Sequence, residues 1–150
     1  MMEQQSLLPS KLLCDTKGNT VEDQTFFKAN IKGLYFSAHW CPPCRRFTPM
    51  LEKVYKEVNK ENKEFEIVFI SSDSSKPEFE DYYKEMPWLA VPYDDQDTIE
   101  KLNTKYGVRG IPTLLIIDKD GNVLNGDGRM DIAQAKDPVE VVKGWKVLKK

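Results

Sequence analysis

Two cysteines stand three positions apart in Trp40-Cys41-Pro42-Pro43-Cys44-Arg45, a spacing that suits thiol-disulfide exchange. Residues three apart in the first turn of a helix are neighbours, with Cβ atoms about 5–6 Å from one another, close to the separation that a disulfide accepts. The pair can therefore pass between dithiol and disulfide through a small local adjustment. The prolines fix the frame. With Cys41 at the N-cap, Pro42 and Pro43 fill the first two helical positions, where a missing N–H has no intrahelical partner to lose. The first free backbone donor is then that of Cys44, and an N-cap side chain accepts from such a donor, so the Cys44 amide is expected to point at the Cys41 sulfur. The partial positive charge of the helix N-terminus favours thiolate at Cys41. Cys44, one turn inside, is expected to be covered and to stay a thiol until it is needed.

These roles describe a thiol-disulfide oxidoreductase. Cys41 attacks a disulfide of a protein substrate, a mixed disulfide forms, and Cys44 resolves it. Such a reaction needs no bound cofactor. The redox-active group is the Cys41–Cys44 disulfide itself, recharged by an external donor, either a reductase enzyme or a low-molecular-weight thiol of the glutathione type. Three readings compete. A redox-sensing protein-binding module with low turnover needs the same two thiols and stays open as the alternative. A zinc site would need a second pair of ligands beyond one C-x-x-C, and the chain has one further cysteine and one histidine, so no metal is expected. An extracytoplasmic cytochrome-maturation protein would carry a leader or anchor, and Met1 to Ser10, with Glu3 and polar glutamines, does not read as a signal peptide.

The elements that must position the pair follow from hydrophobic pattern. Ile31 to Ser37 is a nearly continuous apolar run, the mark of a central strand covered on both faces, and it delivers the Cys41 loop. From Pro42 to about Asn59, apolar residues Phe47, Met50, Leu51, Val54, Tyr55 and Val58 recur at helical spacing, with Pro49 expected to kink the helix. Phe65 to Ile70 is the next strand, so strand, helix and strand form a right-handed parallel crossover. Upstream, Lys11 to Cys14 and Thr20-Val21 form a hairpin whose turn draws on Gly18 and Asn19 for positive φ. A short helix follows, capped by Asp23. Downstream, Ser74 or Ser75 caps a helix through Tyr83, Pro87 to Tyr93 is extended, and Asp97 or Thr98 caps a helix that Gly107 ends. Leu114 to Ile117 and Val123-Leu124 pair antiparallel across a turn, Gly126-Asp127-Gly128 is a loop, and Pro138 opens a last helix with Val139, Val142, Trp145 and Leu148 inward. Lys143, Lys146, Lys149 and Lys150 form a solvated face.

A length of 150 residues suits one domain with one core: residues 1–10 as a flexible N-terminus and 11–150 as the domain, expected to be monomeric. The 22 Lys and Arg against 24 Asp and Glu leave a net charge of −2, which gathers neither nucleic acid nor an anionic membrane. No apolar run reaches the length of a bilayer span, and the expected location is the cytoplasm, with nuclear entry or unconventional export left open. Cys14, beside Leu12 and Leu13, reads as a small buried hydrophobe in a strand.

A strand running into Trp-Cys-x-x-Cys, Pro49 five residues after Cys44, and Ile111-Pro112-Thr113 before a buried strand together resemble the thioredoxin fold. Phe36 to Arg45 and Met86 to Tyr93 resemble its nucleoredoxin and tryparedoxin branch. The resemblance implies an α/β architecture, a central mixed β-sheet flanked by helices with an N-terminal β-hairpin extension. It implies a cis bond before Pro112, with the Ile111 backbone beside Cys41 to pair with an extended substrate, Trp40 lying over the active surface, and Arg129 near it. Thioredoxins proper keep a buried aspartate six residues before the first cysteine to relay the second cysteine's proton; here that position is Tyr35, as in tryparedoxins. Tyr35 is therefore assigned a supporting role, and the relay stays open. Tryparedoxins of trypanosomatids carry a Trp and a Glu after the third strand for their polyamine-thiol reductant, and the corresponding stretch here is Ser71-Ser72-Asp73-Ser74-Ser75, which does not support that recognition. His39, by alternation, turns away from Cys41 into solvent, and Arg45 reads as an exposed helix residue.

Overall fold

The structure, a computed structural model, describes residues 8–148; residues 1–7 of the expected N-terminal tail, and Lys149 and Lys150 of the expected solvated face, lie outside the described residues. Seven strands make one mixed sheet: β1 (Lys11–Leu13), β2 (Thr20–Glu22), β3 (Ile31–Ser37), β4 (Phe65–Ser71), β5 (Leu89–Ala90), β6 (Thr113–Ile117) and β7 (Val123–Asn125), in the order β2-β1-β5-β4-β3-β6-β7. β3 runs parallel to β4 and antiparallel to β6. The β1–β2 hairpin extends one edge, as expected from the sequence.

Alternation along β3 and β4 divides the core in two, because successive side chains of a strand point to opposite faces. Ile31, Tyr35, Phe65, Ile67 and Phe69 face one side, which is covered by α2 (Pro42–Val58), α3 (Lys76–Tyr83), α5 (Gly128–Gln134), α6 (Pro138–Gly144) and Trp145 of a closing 3-10 turn. Leu34, Phe36, Val68 and Ile70 face the other, beneath α1 (Gln24–Phe27) and α4 (Gln96–Tyr106). Both strands are buried over their whole length, which accounts for their mainly apolar sequence, with Lys32 and Glu66 as buried charged exceptions.

Capping chemistry sets the ends of α3 and α4, whereas Asp23 stands at the head of α1 without the expected side-chain cap. Ser75 accepts from the Glu78 amide at the start of α3, and Gly107 closes α4 in the left-handed conformation at φ 60°. The α4 cap is Asp95, not Asp97 or Thr98: its carboxylate takes the Thr98 amide and hydroxyl. In the β1–β2 turn Gly18 supplies the positive φ, at 92°. Asn19 instead works through its side chain, donating to Asp15.

Two further expectations fail for physical reasons. Gly126-Asp127-Gly128 is not all loop, since α5 begins at Gly128. β1 ends at Leu13, so Cys14 falls in the turn and is exposed rather than buried. Leu8, ahead of β1, is buried in the second core.

Candidate active site

The carboxyl end of β3 and the amino end of α2 meet at the cysteine pair. Cys41 takes the N-cap place with extended backbone, and Pro42 and Pro43 fill the first turn. The expected capping bond is absent: no side-chain cap is made at Cys41, and the thiol instead donates toward the Ile111 carbonyl oxygen at 3.8 Å. The Ile111–Pro112 bond is cis, with Ile111 half-buried and Pro112 buried. Ala38, Cys41 and Cys44 form a small apolar cluster with Ile111 against it.

The two sulfurs differ in environment. Cys41 keeps 5 % of its surface open, whereas Cys44 has none. Burial pushes the Cys44 thiol up to about 11, and the neighbouring Cys41 sulfur adds to the rise; the Ser37 hydroxyl and the Ala38 amide pull the other way.

A run of buried hydroxyls lies behind Cys44. The Ser37 hydroxyl is 2.7 Å from that of Tyr82, Tyr82 is 2.6 Å from Thr48 Oγ1, and Thr48 is 2.6 Å from the Tyr35 hydroxyl. Thr48 Oγ1 also donates to the Cys44 carbonyl at 2.9 Å. Tyr35 therefore stands at the far end of the run, joined to Cys44 only through Thr48, and burial pushes its phenol upward. Ser37, Thr48 and Tyr82 were not singled out by sequence. Two of them had a signal. Tyr35 and Ser37 share a strand face, and Cys44 and Thr48 share a helix face; Tyr82 comes from α3 and only the fold brings it in.

The loop after β4 grips the one before Cys41. Asp73 Oδ1 accepts the His39 amide at 2.7 Å, Asp73 Oδ2 accepts the Ser71 hydroxyl at 2.7 Å, and the Ser72 carbonyl accepts the Trp40 indole N–H at 3.0 Å. Desolvation raises Asp73 above the usual carboxylate range. Trp40 is thus tethered while 54 % exposed. His39 is not a free loop side chain; it is half-buried and stacks on Tyr82 at 5.4 Å between centroids. Arg45 is exposed. Arg129 sits half-buried in the first turn of α5 and, among the described residues, makes no hydrogen bond or ion pair.

Residues 30–123 match the family model described as thioredoxin-like. The chain is 46% identical over 115 residues to a nucleoredoxin of Danio rerio, covering 77% of this chain and 28% of that one. It is 50% identical over 93 residues to a tryparedoxin of Trypanosoma brucei brucei, covering 62% and 64%. The solved structure of tryparedoxin II complexed with glutathionylspermidine superposes with a TM-score of 0.76 at 36% identity, covering 87% of this chain and 88% of that one. The chain thus spans little more than a quarter of the nucleoredoxin's length, while it matches nearly the whole of the tryparedoxin structure. With the mixed sheet, the flanking helices and the paired cysteines at the head of α2, these matches carry one conclusion: the chain belongs to the thioredoxin-like family.

Proposed function

We propose that the protein is a thiol-disulfide oxidoreductase that reduces disulfides of protein substrates. The observation that carries this reading is the asymmetry of the two thiols: Cys41 outermost at the head of α2, and Cys44 fully covered one turn behind it and held as a thiol. Cys41 attacks one substrate sulfur, the substrate disulfide breaks, and a mixed disulfide forms. Cys44 then attacks Cys41, the Cys41–substrate bond breaks, and the substrate leaves with both sulfurs reduced while the protein holds the Cys41–Cys44 disulfide.

The Ile111 carbonyl beside Cys41 supports the placing of an extended substrate segment there, and the tethered, exposed Trp40 supports an apolar contact with it. The electron donor on this reading is a thioredoxin reductase or a glutathione-type thiol; the tryparedoxin II structure complexed with glutathionylspermidine is consistent with a thiol donor, while Ser71 to Ser75 here do not support recognition of its polyamine part. In the test, Cys44→Ser is mixed with insulin and run without reductant. Capture of an insulin chain on Cys41, released by dithiothreitol, is the expected result. Failure of the variant to capture insulin, with the parent protein leaving insulin disulfides intact, would overturn the reading.

A further inference from the structure

With the Thr48 hydrogen placed on the Cys44 carbonyl, the donors of the three hydroxyl–hydroxyl contacts follow in turn. A carbonyl oxygen can only accept, so the Thr48 hydrogen is committed to the Cys44 carbonyl. Tyr35 must then donate to Thr48, and so must Tyr82. The Tyr82 hydrogen being used, Ser37 donates to Tyr82. This leaves the Ser37 oxygen with free lone pairs and no hydrogen toward Cys44, the arrangement that suits a protonated thiol.

The same run accepts the opposite order without stranding a hydrogen. If Cys44 loses its proton, the Ser37 O–H turns from Tyr82 to the sulfur, and the Tyr82 O–H turns from Thr48 to Ser37. Thr48 keeps the Tyr35 hydrogen and its own bond to the Cys44 carbonyl. Two hydroxyl rotations convert an acceptor for a thiol into a donor for a thiolate, with no heavy atom displaced.

We propose that Ser37 and Tyr82 are positioning residues for the resolving step, a reversible hydroxyl pair that stabilises Cys44 as a thiolate while it attacks the mixed disulfide on Cys41. The proposal rests on the oxidoreductase reading above. In that step the Cys44–Cys41 bond forms, the Cys41–substrate bond breaks, and its electron pair leaves on the substrate sulfur. The proton given up by Cys44 ends on that leaving sulfur, so no further base is needed. The groups acting on Cys44 are the Cys41 sulfur at the N-cap, the Ser37 hydroxyl and the Ala38 amide from the end of β3, and Tyr82 from α3. The buried carboxylate in the neighbouring loop, Asp73, is engaged by the Ser71 hydroxyl and the His39 amide.

The test uses the full chain carrying Cys14→Ser, which removes the exposed third thiol, and a chromogenic aromatic disulfide as substrate. The first equivalent of coloured thiol reports attack by Cys41, and the second reports resolution by Cys44. A hydrogen bond to a charged group corresponds to about tenfold to a hundredfold in rate, so Ser37→Ala should slow the second release by that factor while the first stays within about twofold. Tyr82→Phe should slow the second release by a smaller factor, and Ser37→Thr, which keeps the hydroxyl, should restore it. Equal second-phase rates in parent and Ser37→Ala, or a Ser37→Thr as slow as Ser37→Ala, would overturn the proposal. Absence of any second release from the parent would instead overturn the oxidoreductase reading.

Discussion

At the scale of single residues, Thr48 carries more than its size suggests. Its hydroxyl oxygen accepts from Tyr35 and Tyr82 and its hydrogen goes to the Cys44 carbonyl, all with Thr48 itself buried. Removing one partner of a buried hydrogen bond strands the other, at about 1–3 kcal/mol, whereas removing both can be nearly neutral. Tyr82 can turn to Ser37, whereas Thr48 is the nearest partner of the Tyr35 hydroxyl, at 2.6 Å. Thr48→Val is therefore expected to destabilise by about 2 kcal/mol, and adding Tyr35→Phe to it should recover part of that loss. Urea denaturation of the two single variants and the double variant checks this; a double variant whose loss is the sum of the two single ones would show that the hydroxyls are not coupled. At this scale the sequence was legible where chemistry is local: the cysteine pair and its prolines follow from spacing, and the cis Ile111–Pro112 bond followed from the resemblance. It was not legible where partners converge from β3, α2 and α3, nor at Cys41, whose sulfur turns to a carbonyl seventy residues away rather than to its own helix.

At the scale of elements, the seam between α5 and β6 is tight enough to dictate one residue. A Cβ on Gly128 would lie 2.9 Å from the Leu114 backbone oxygen and 3.0 Å from two of its side-chain carbons. The carbonyl belongs to a buried strand paired with β3, so it cannot swing aside as a flexible side chain would. Gly128→Ala should cost about 1–3 kcal/mol through overpacking, against the few tenths gained from a less flexible unfolded chain. A lower denaturation midpoint with the sheet's circular dichroism intact would agree, and an unchanged or higher midpoint would refute the steric account. The same glycine explains why the start of α5 reads as the end of a loop: Gly126-Asp127-Gly128 is a turn signal, and the reason for Gly128, close approach to β6, exists only once the helix has docked. The long elements were legible because β3 and β4, buried on both faces, leave a nearly continuous apolar run and α2, buried on one, a periodic stripe; α5, whose buried residues are Gly128 and Ile132, leaves little.

At the scale of the whole molecule, two apolar layers share one sheet. Phe26, Leu34 and Phe36 lie on one side, and Tyr35, Phe69 and Trp88 on the other, so each layer depends on strands that the opposite layer also covers. This interleaving was readable in outline, because a nearly continuous apolar strand must be buried on both sides. Which helix lies on which side was not, since that depends on crossover geometry. The shared sheet predicts one cooperative transition. Phe26→Ala removes a fully buried ring from α1, and truncation of this kind costs about 3–5 kcal/mol. Two buried indoles, Trp88 and Trp145, belong to the opposite layer, while Trp40 is exposed, so tryptophan fluorescence reports chiefly on the face that Phe26 does not touch. The expected result is that fluorescence and far-ultraviolet circular dichroism shift to the same lower midpoint in Phe26→Ala. If the fluorescence transition stays at the parental midpoint while the dichroism falls, the two layers unfold separately, and β3 is not the shared support from which the cysteine pair is held.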